Sequence, residues 1–85
     1  MDTKNKLPKG WAIKQNCLVK RFKFKGFNRT MSFVNAIAWE ANRNMHHPEM
    51  KVGYNYCEIQ LTTHDNKNQV TKKDYQMANA IENLF

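Results

Sequence analysis

No stretch of this sequence approaches the roughly 18 consecutive apolar residues that a membrane-crossing helix needs. Its opening residues, MDTKNKLPKG, lack the apolar centre of a secretory signal. These absences argue against a membrane-spanning or exported chain and predict a cytoplasmic one. Cysteine is scarce. Cys17 and Cys57 lie 40 positions apart in segments that both read as strands, so neither a disulfide framework nor a close-spaced metal-binding pair is expected. Acidic residues are few, seven against fourteen Lys and Arg, for a formal net charge of +7. No repeat, linker or low-complexity tract divides the 85 residues. One domain is expected, near the size at which burial alone leaves a thin stability margin and self-association helps.

The composition that remains is that of a globular chain, 41% hydrophobic and 12% aromatic. Residues 1–9 are polar and lysine-rich and are expected to be flexible, leaving residues 10–85 as the folded unit. Trp11, Ala12 and Ile13 begin a short strand. Lys14-Gln15-Asn16 supplies a turn, and a second strand runs from about Cys17 to Lys25. Asn28 to Ser32 offers capping residues for a helix whose apolar positions, Phe33, Val34, Ile37, Ala38, Ala41 and Met45, recur at three- and four-residue intervals. Trp39 and Glu40 lie off that stripe and suit a second contact. From Tyr54 to Thr63 the pattern alternates, with Cys57, Ile59 and Leu61 on one face and Tyr56, Glu58 and Gln60 on the other. After the polar loop DNKNQ, Thr71-Lys72-Lys73-Asp74 reads as a capping box opening a last helix with Tyr75, Met77, Ala78, Ile81 and Leu84 on its apolar face. The predicted class is α+β: an antiparallel sheet of three to four strands with two helices packed on one face.

The positive charge raises the question of nucleic acid. Lys20, Arg21, Lys23 and Lys25 are interleaved with Leu18, Phe22 and Phe24, and such alternation is what a strand with one wet face shows. RFKFKGF also lacks the glycine-aromatic order of an RNA-recognition strand. No specific nucleic-acid partner is expected; any affinity should be weak and blind to sequence.

The concentrated chemistry is NMHHPEM, at residues 44–50. Pro48 disfavours helical geometry at His47, so the helix should end at or just before the two histidines, where its dipole favours a protonated imidazole. His64, the third histidine, stands at the end of the best strand. The residues alone leave three readings open. Imidazoles bind zinc, although adjacent histidines splay apart and Glu49 and Asp65 follow no known metal spacing. An imidazole with its ordinary pKa of about 6.5 also donates and accepts protons at neutral pH. Or the three are polar residues at element ends.

The run HHPEM, Tyr54-Asn55, the strand ending Thr62-Thr63-His64, TKKD and an A-x-x-I ending at Ile81 resemble the pterin-4a-carbinolamine dehydratase family. Gly10-Trp11 and FKFKGFNRTMSFV resemble it too, so the likeness covers about residues 10 to 84. It implies a hydro-lyase that removes water from 4a-hydroxytetrahydropterin to give quinonoid dihydropterin in tetrahydrobiopterin recycling, without metal or organic cofactor. It also implies that His46, His47 and His64 line the pterin site as catalytic residues, that Pro48 shapes it, and that Thr63 and Asp74 contribute to substrate binding. Asp74 equally reads as a capping residue. Relatives form homodimers and homotetramers, and some act as dimerisation cofactors of a transcription factor, so a non-catalytic protein-binding module is the alternative. Several places depart from the family pattern. Asn42 and Met45 replace a glutamate and a polar residue, Met50 replaces a tryptophan and offers an apolar wall, the loop after His64 is a residue longer, and the helix that precedes Gly10-Trp11 in many relatives is not seen.

Overall fold

Gln15 and Asn16 both adopt left-handed backbone (φ 49° and 65°), which makes a two-residue turn whose twist matches the strands it joins. It connects β1 (Ala12–Lys14) to β2 (Cys17–Lys23). A computed structural model of the chain describes residues 7–64, 67 and 69–85. The expectation for residues 1–6, and that for Asp65, Asn66 and Asn68 of the polar loop, fall outside the described residues. Residues 7–9 lead into a turn in which Trp11 N–H bonds Pro8 C=O at 3.1 Å, and Lys20 Nζ donates to Lys9 C=O at 3.1 Å.

After β2 come α1 (Phe27–Asn44), β3 (Glu49–Val52), β4 (Tyr56–Leu61) and α2 (Lys72–Glu82). The four strands form one antiparallel sheet in the order β1-β2-β4-β3, and the class is α+β as expected. β3 is the strand that the pattern did not resolve. It is a four-residue edge strand with mostly exposed side chains, and only its register against β4, Met50 opposite Ile59 and Val52 opposite Cys57, defines it.

Leu18 and Phe22 of β2 and Cys57, Ile59 and Leu61 of β4 point to the helix side of the sheet. Phe33, Ile37 and Ala41 of α1 and Met77, Ala78 and Ile81 of α2 close over them. Burial of this cluster from water is the main stabilising term. It pushes the Cys57 thiol pKa up, so little thiolate forms there. Three readings of the pattern are corrected. α1 begins at Phe27 with Gly26 as its cap, and Thr30, buried inside the helix, bonds Gly26 C=O through its N–H at 3.1 Å and its hydroxyl at 2.9 Å. Met45, placed on the apolar stripe, is 84% exposed because the helix has already ended. Lys20 is not on the wet face. It shares the inner face with Leu18 and Phe22, lies over the Phe22 ring and meets Glu82 Oε2 at 2.6 Å, and that oxygen also accepts Trp11 Nε1–H at 2.8 Å.

The β3–β4 turn depends on Gly53. A Cβ built there would sit 2.0 Å from Tyr56 Cε1, and the Tyr56 ring is itself stacked under the Arg21 guanidinium at 4.1 Å. Gly53→Ala is expected to destabilise the fold by about 1–3 kcal/mol through overpacking, read as a lower urea midpoint at unchanged slope.

Candidate active site

The end of α1 delivers two imidazoles. Met45 takes left-handed backbone (φ 51°), His46 N–H reaches back to Ala41 C=O at 3.1 Å, and Met45 N–H reaches Asn42 C=O at 3.3 Å. This pair of bonds is the Schellman stop, and Pro48 keeps the following residues extended. The third imidazole comes from the opposite direction. β4 ends at Leu61, Thr63 N–H bonds Gln69 C=O at 3.0 Å, and His64 follows at once. β4 and β3 lie side by side, so the end of β4 adjoins the start of β3, where the helix has just released His46, His47 and Pro48.

The result is a cleft of about 380 Å³ lined by Met45, His46, His47, Pro48, Glu49, Thr63, His64 and Lys73. Ligand sites of about 300–1,000 Å³ are usual for small molecules. All three histidines therefore border one space. Their environments differ. His47 and His64 are exposed, whereas the His46 side chain is only 11% exposed and its Nε2 lies 2.5 Å from Oδ1 of the wholly buried Asp74. With Asp74 as the carboxylate, Nε2–H is the donor, which fixes both the tautomer and the plane of that ring.

Asp74 occupies the third position of α2. Its Oδ2 accepts the Thr71 N–H at 2.8 Å, closing the capping box, and the Thr63 hydroxyl at 2.8 Å. Thr63 Oγ1 also lies 2.6 Å from Thr71 Oγ1. The buried charge is thus compensated by three donors, which is what burial of an ion requires. Asp74 does not line the cleft; it lies beneath it and holds His46. Thr63 lines the cleft, while its hydroxyl and N–H are committed to Asp74 and Gln69. Met50, proposed as an apolar wall, faces the core from β3 and borders a different cavity with Lys51 and Glu58. Lys73 was passed over in the sequence. Its sequence signal is its place beside the capping aspartate at the start of α2, and the structure sets it in the lining of the cleft. Asn42 and Glu40 do not line the cleft; Glu40 pairs with Arg43 at 3.2 Å. Among the described residues no three His, Cys, Asp or Glu side chains converge as metal ligands, and no helix is long and apolar enough to cross a membrane.

Comparison with known proteins identifies relatives of the chain and of its fold. The profile of the family described as "Pterin 4 alpha carbinolamine dehydratase" matches residues 1–84. A Legionella pneumophila (strain Corby) protein named "Putative pterin-4-alpha-carbinolamine dehydratase" is 46% identical, with 96% of this chain and 76% of that protein aligned. A protein of the same name from Nitrosomonas europaea is 39% identical over 93% of this chain and 69% of its own length. Among solved structures, a transcriptional coactivator/pterin dehydratase from Brucella melitensis superposes with a TM-score of 0.81 at 33% identity, covering 87% of this chain and 80% of that one. A pterin dehydratase-like RuBisCO assembly factor of the alpha-carboxysome shares the fold, with a TM-score of 0.71 at 24% identity over 87% of this chain and 84% of that one.

Proposed function

Because the chain belongs to the pterin 4 alpha carbinolamine dehydratase family, we propose that its cleft dehydrates a 4a-hydroxytetrahydropterin, releasing water and a quinonoid dihydropterin. Loss of the C4a hydroxyl needs two proton movements. One proton goes to the departing oxygen, and one leaves a ring nitrogen so that the new C=N bond is neutral. His47 and His64 carry these transfers. They enter the cleft from separate elements, so one ring reaches the leaving oxygen while the other reaches the heterocycle. The proton delivered and the proton collected balance over a turnover. His46, clamped by Asp74, orients the substrate. Pro48 and Thr63 shape the wall. The scheme uses no metal and no organic cofactor.

The observation that carries this reading is the convergence of three imidazoles on one cleft with one of them anchored to a buried carboxylate. The test is the rate of dehydration of 4a-hydroxytetrahydropterin by the purified protein, with and without a chelator. Turnover above the buffer rate that the chelator leaves unchanged is expected; no acceleration over buffer would refute the proposal.

Lys73 brings the cleft a cationic donor suited to the pterin carbonyl. Lys73→Ala is expected to raise KM about tenfold with kcat little changed, the pattern of lost uniform binding. Steady-state kinetics against substrate concentration checks it.

A second reading rests on Trp39, which is 71% exposed on α1, and on the Brucella melitensis structure being described as a coactivator as well as a dehydratase. On that reading α1 is the working surface for a helical partner. A folded protein without dehydratase activity that binds such a partner saturably would favour it. On the dehydratase reading the protein is a cytoplasmic homodimer or homotetramer, with α1 available for the subunit contact.

A further inference from the structure

A second cavity, of about 360 Å³, is lined by Lys25, Gly26, Phe27, Asn28, Arg29 and Tyr54. It lies at the opposite end of the molecule from the histidines. α1 runs 18 residues from this cavity to the cleft, about 27 Å at the helical rise. Three segments meet there, namely the exit from β2, the first turn of α1 and the β3–β4 turn. They are pinned together, since Phe24 N–H donates to Asn55 C=O at 2.8 Å and the buried Thr30 hydroxyl lies 3.1 Å from Tyr54 C=O. The arrangement is therefore fixed by the fold before any ligand arrives.

Its chemistry is distinctive. Phe27 is 50% and Tyr54 69% exposed, so two aromatic rings stand in water beside one cavity. Lys25 and Arg29, which line the cavity, and Lys23 of β2, two positions before Lys25, are exposed. Among the described residues no acidic side chain lines the cavity or occupies the first turn of α1, and the sequence has no Asp or Glu between Asp2 and Glu40. The outer sheet face beside it is mixed: Arg21 stacks on Tyr56 next to Lys23 and stands opposite Glu58 across the strands. Phosphates satisfy the cations, but phosphates alone leave the rings uncovered. Acidic side chains alone offer no ring to stack on, and a duplex keeps its bases stacked on each other. Unpaired bases on a phosphate backbone satisfy both features at once.

We infer that this end of the protein binds single-stranded nucleic acid, with Lys23, Lys25 and Arg29 on phosphates and Phe27 and Tyr54 stacking on bases. Recognition is blind to sequence, because every base presents a face to stack on. The surface shares no residue with the histidine cleft, so it operates whether or not the cleft is catalytic.

Fluorescence anisotropy of the full chain with a labelled oligothymidylate of about twelve nucleotides tests this. The wild type is expected to bind the single strand at least tenfold more tightly than a duplex of equal length. Its log–log salt slope should be about −2 for three phosphate contacts at roughly 0.7 each. In Lys25→Ala/Arg29→Ala the slope should shrink to about −0.7. Phe27→Ala/Tyr54→Ala should weaken binding about tenfold or more at unchanged slope. Both double variants alter exposed side chains, and a wild-type unfolding midpoint confirms that the fold is intact. Failure of the wild type to bind, a duplex bound as tightly as the single strand, or wild-type affinity in the aromatic double variant would overturn the inference.

Discussion

His47→Ala and His64→Ala are each expected to lower kcat for pterin dehydration by about a hundred- to ten-thousandfold, the range over which a positioned acid or base accelerates proton transfer. KM should change much less, because these rings act on groups whose charge develops as the C4a–O bond breaks. Removing both should cost little more than removing one, since a single remaining transfer no longer completes the step. His46→Ala should act differently. Its ring is held from behind by Asp74, so its loss should fall mainly on substrate placement and KM. Stopped-flow decay of freshly generated 4a-hydroxytetrahydropterin separates these outcomes. Wild-type turnover in all three variants would refute the assignment.

Asp74→Ala is expected to be the most damaging single change to the fold outside the hydrophobic cluster. It strips the partner from the His46 ring, from the Thr63 hydroxyl and from the Thr71 N–H, all at a fully buried position. A loss of about 3 kcal/mol or more is expected from the orphaned donors and the lost cap together. Against a total stability of about 5–15 kcal/mol this is a large fraction. Chemical denaturation measures it. Asp74→Asn keeps the size and one acceptor, so it should recover much of the stability while leaving His46 without its anionic partner. If Asp74 acts on the substrate through His46, the kinetic effects of Asp74→Asn and His46→Ala should be strongly non-additive. Additive effects would separate the two residues and reduce Asp74 to a helix cap.

Much of this arrangement was legible in the sequence, for identifiable reasons. Alternation at Cys57, Ile59 and Leu61 and the three-and-four spacing of Phe33, Ile37 and Ala41 are periodic signals, and the structure buries those residues. Pro48 located the end of α1, because backbone sterics at the preceding residue act locally. TKKD revealed the α2 cap for the same reason. What was hidden depends on contacts across the chain. β3 is too short and too exposed to alternate visibly, and exists through its pairing with β4. Alternation with Leu18 and Phe22 puts Lys20 on the inner side, but its partner there, Glu82, is 62 residues away and leaves no local trace. Asp74 illustrates both cases. Its capping role follows from spacing, but its bond to His46 needs α2 to dock against the end of α1, which no local pattern encodes.

The account rests on three imidazoles sharing one bound heterocycle, and one titration tests that directly. NMR signals of the His46, His47 and His64 rings, assigned from the single alanine variants, are followed while a non-reacting dihydropterin is added to the wild-type protein. All three ring signals should shift along a single saturation curve with one Kd. A pterin that binds while any of the three stays unmoved, or that moves them with different affinities, would contradict the shared site.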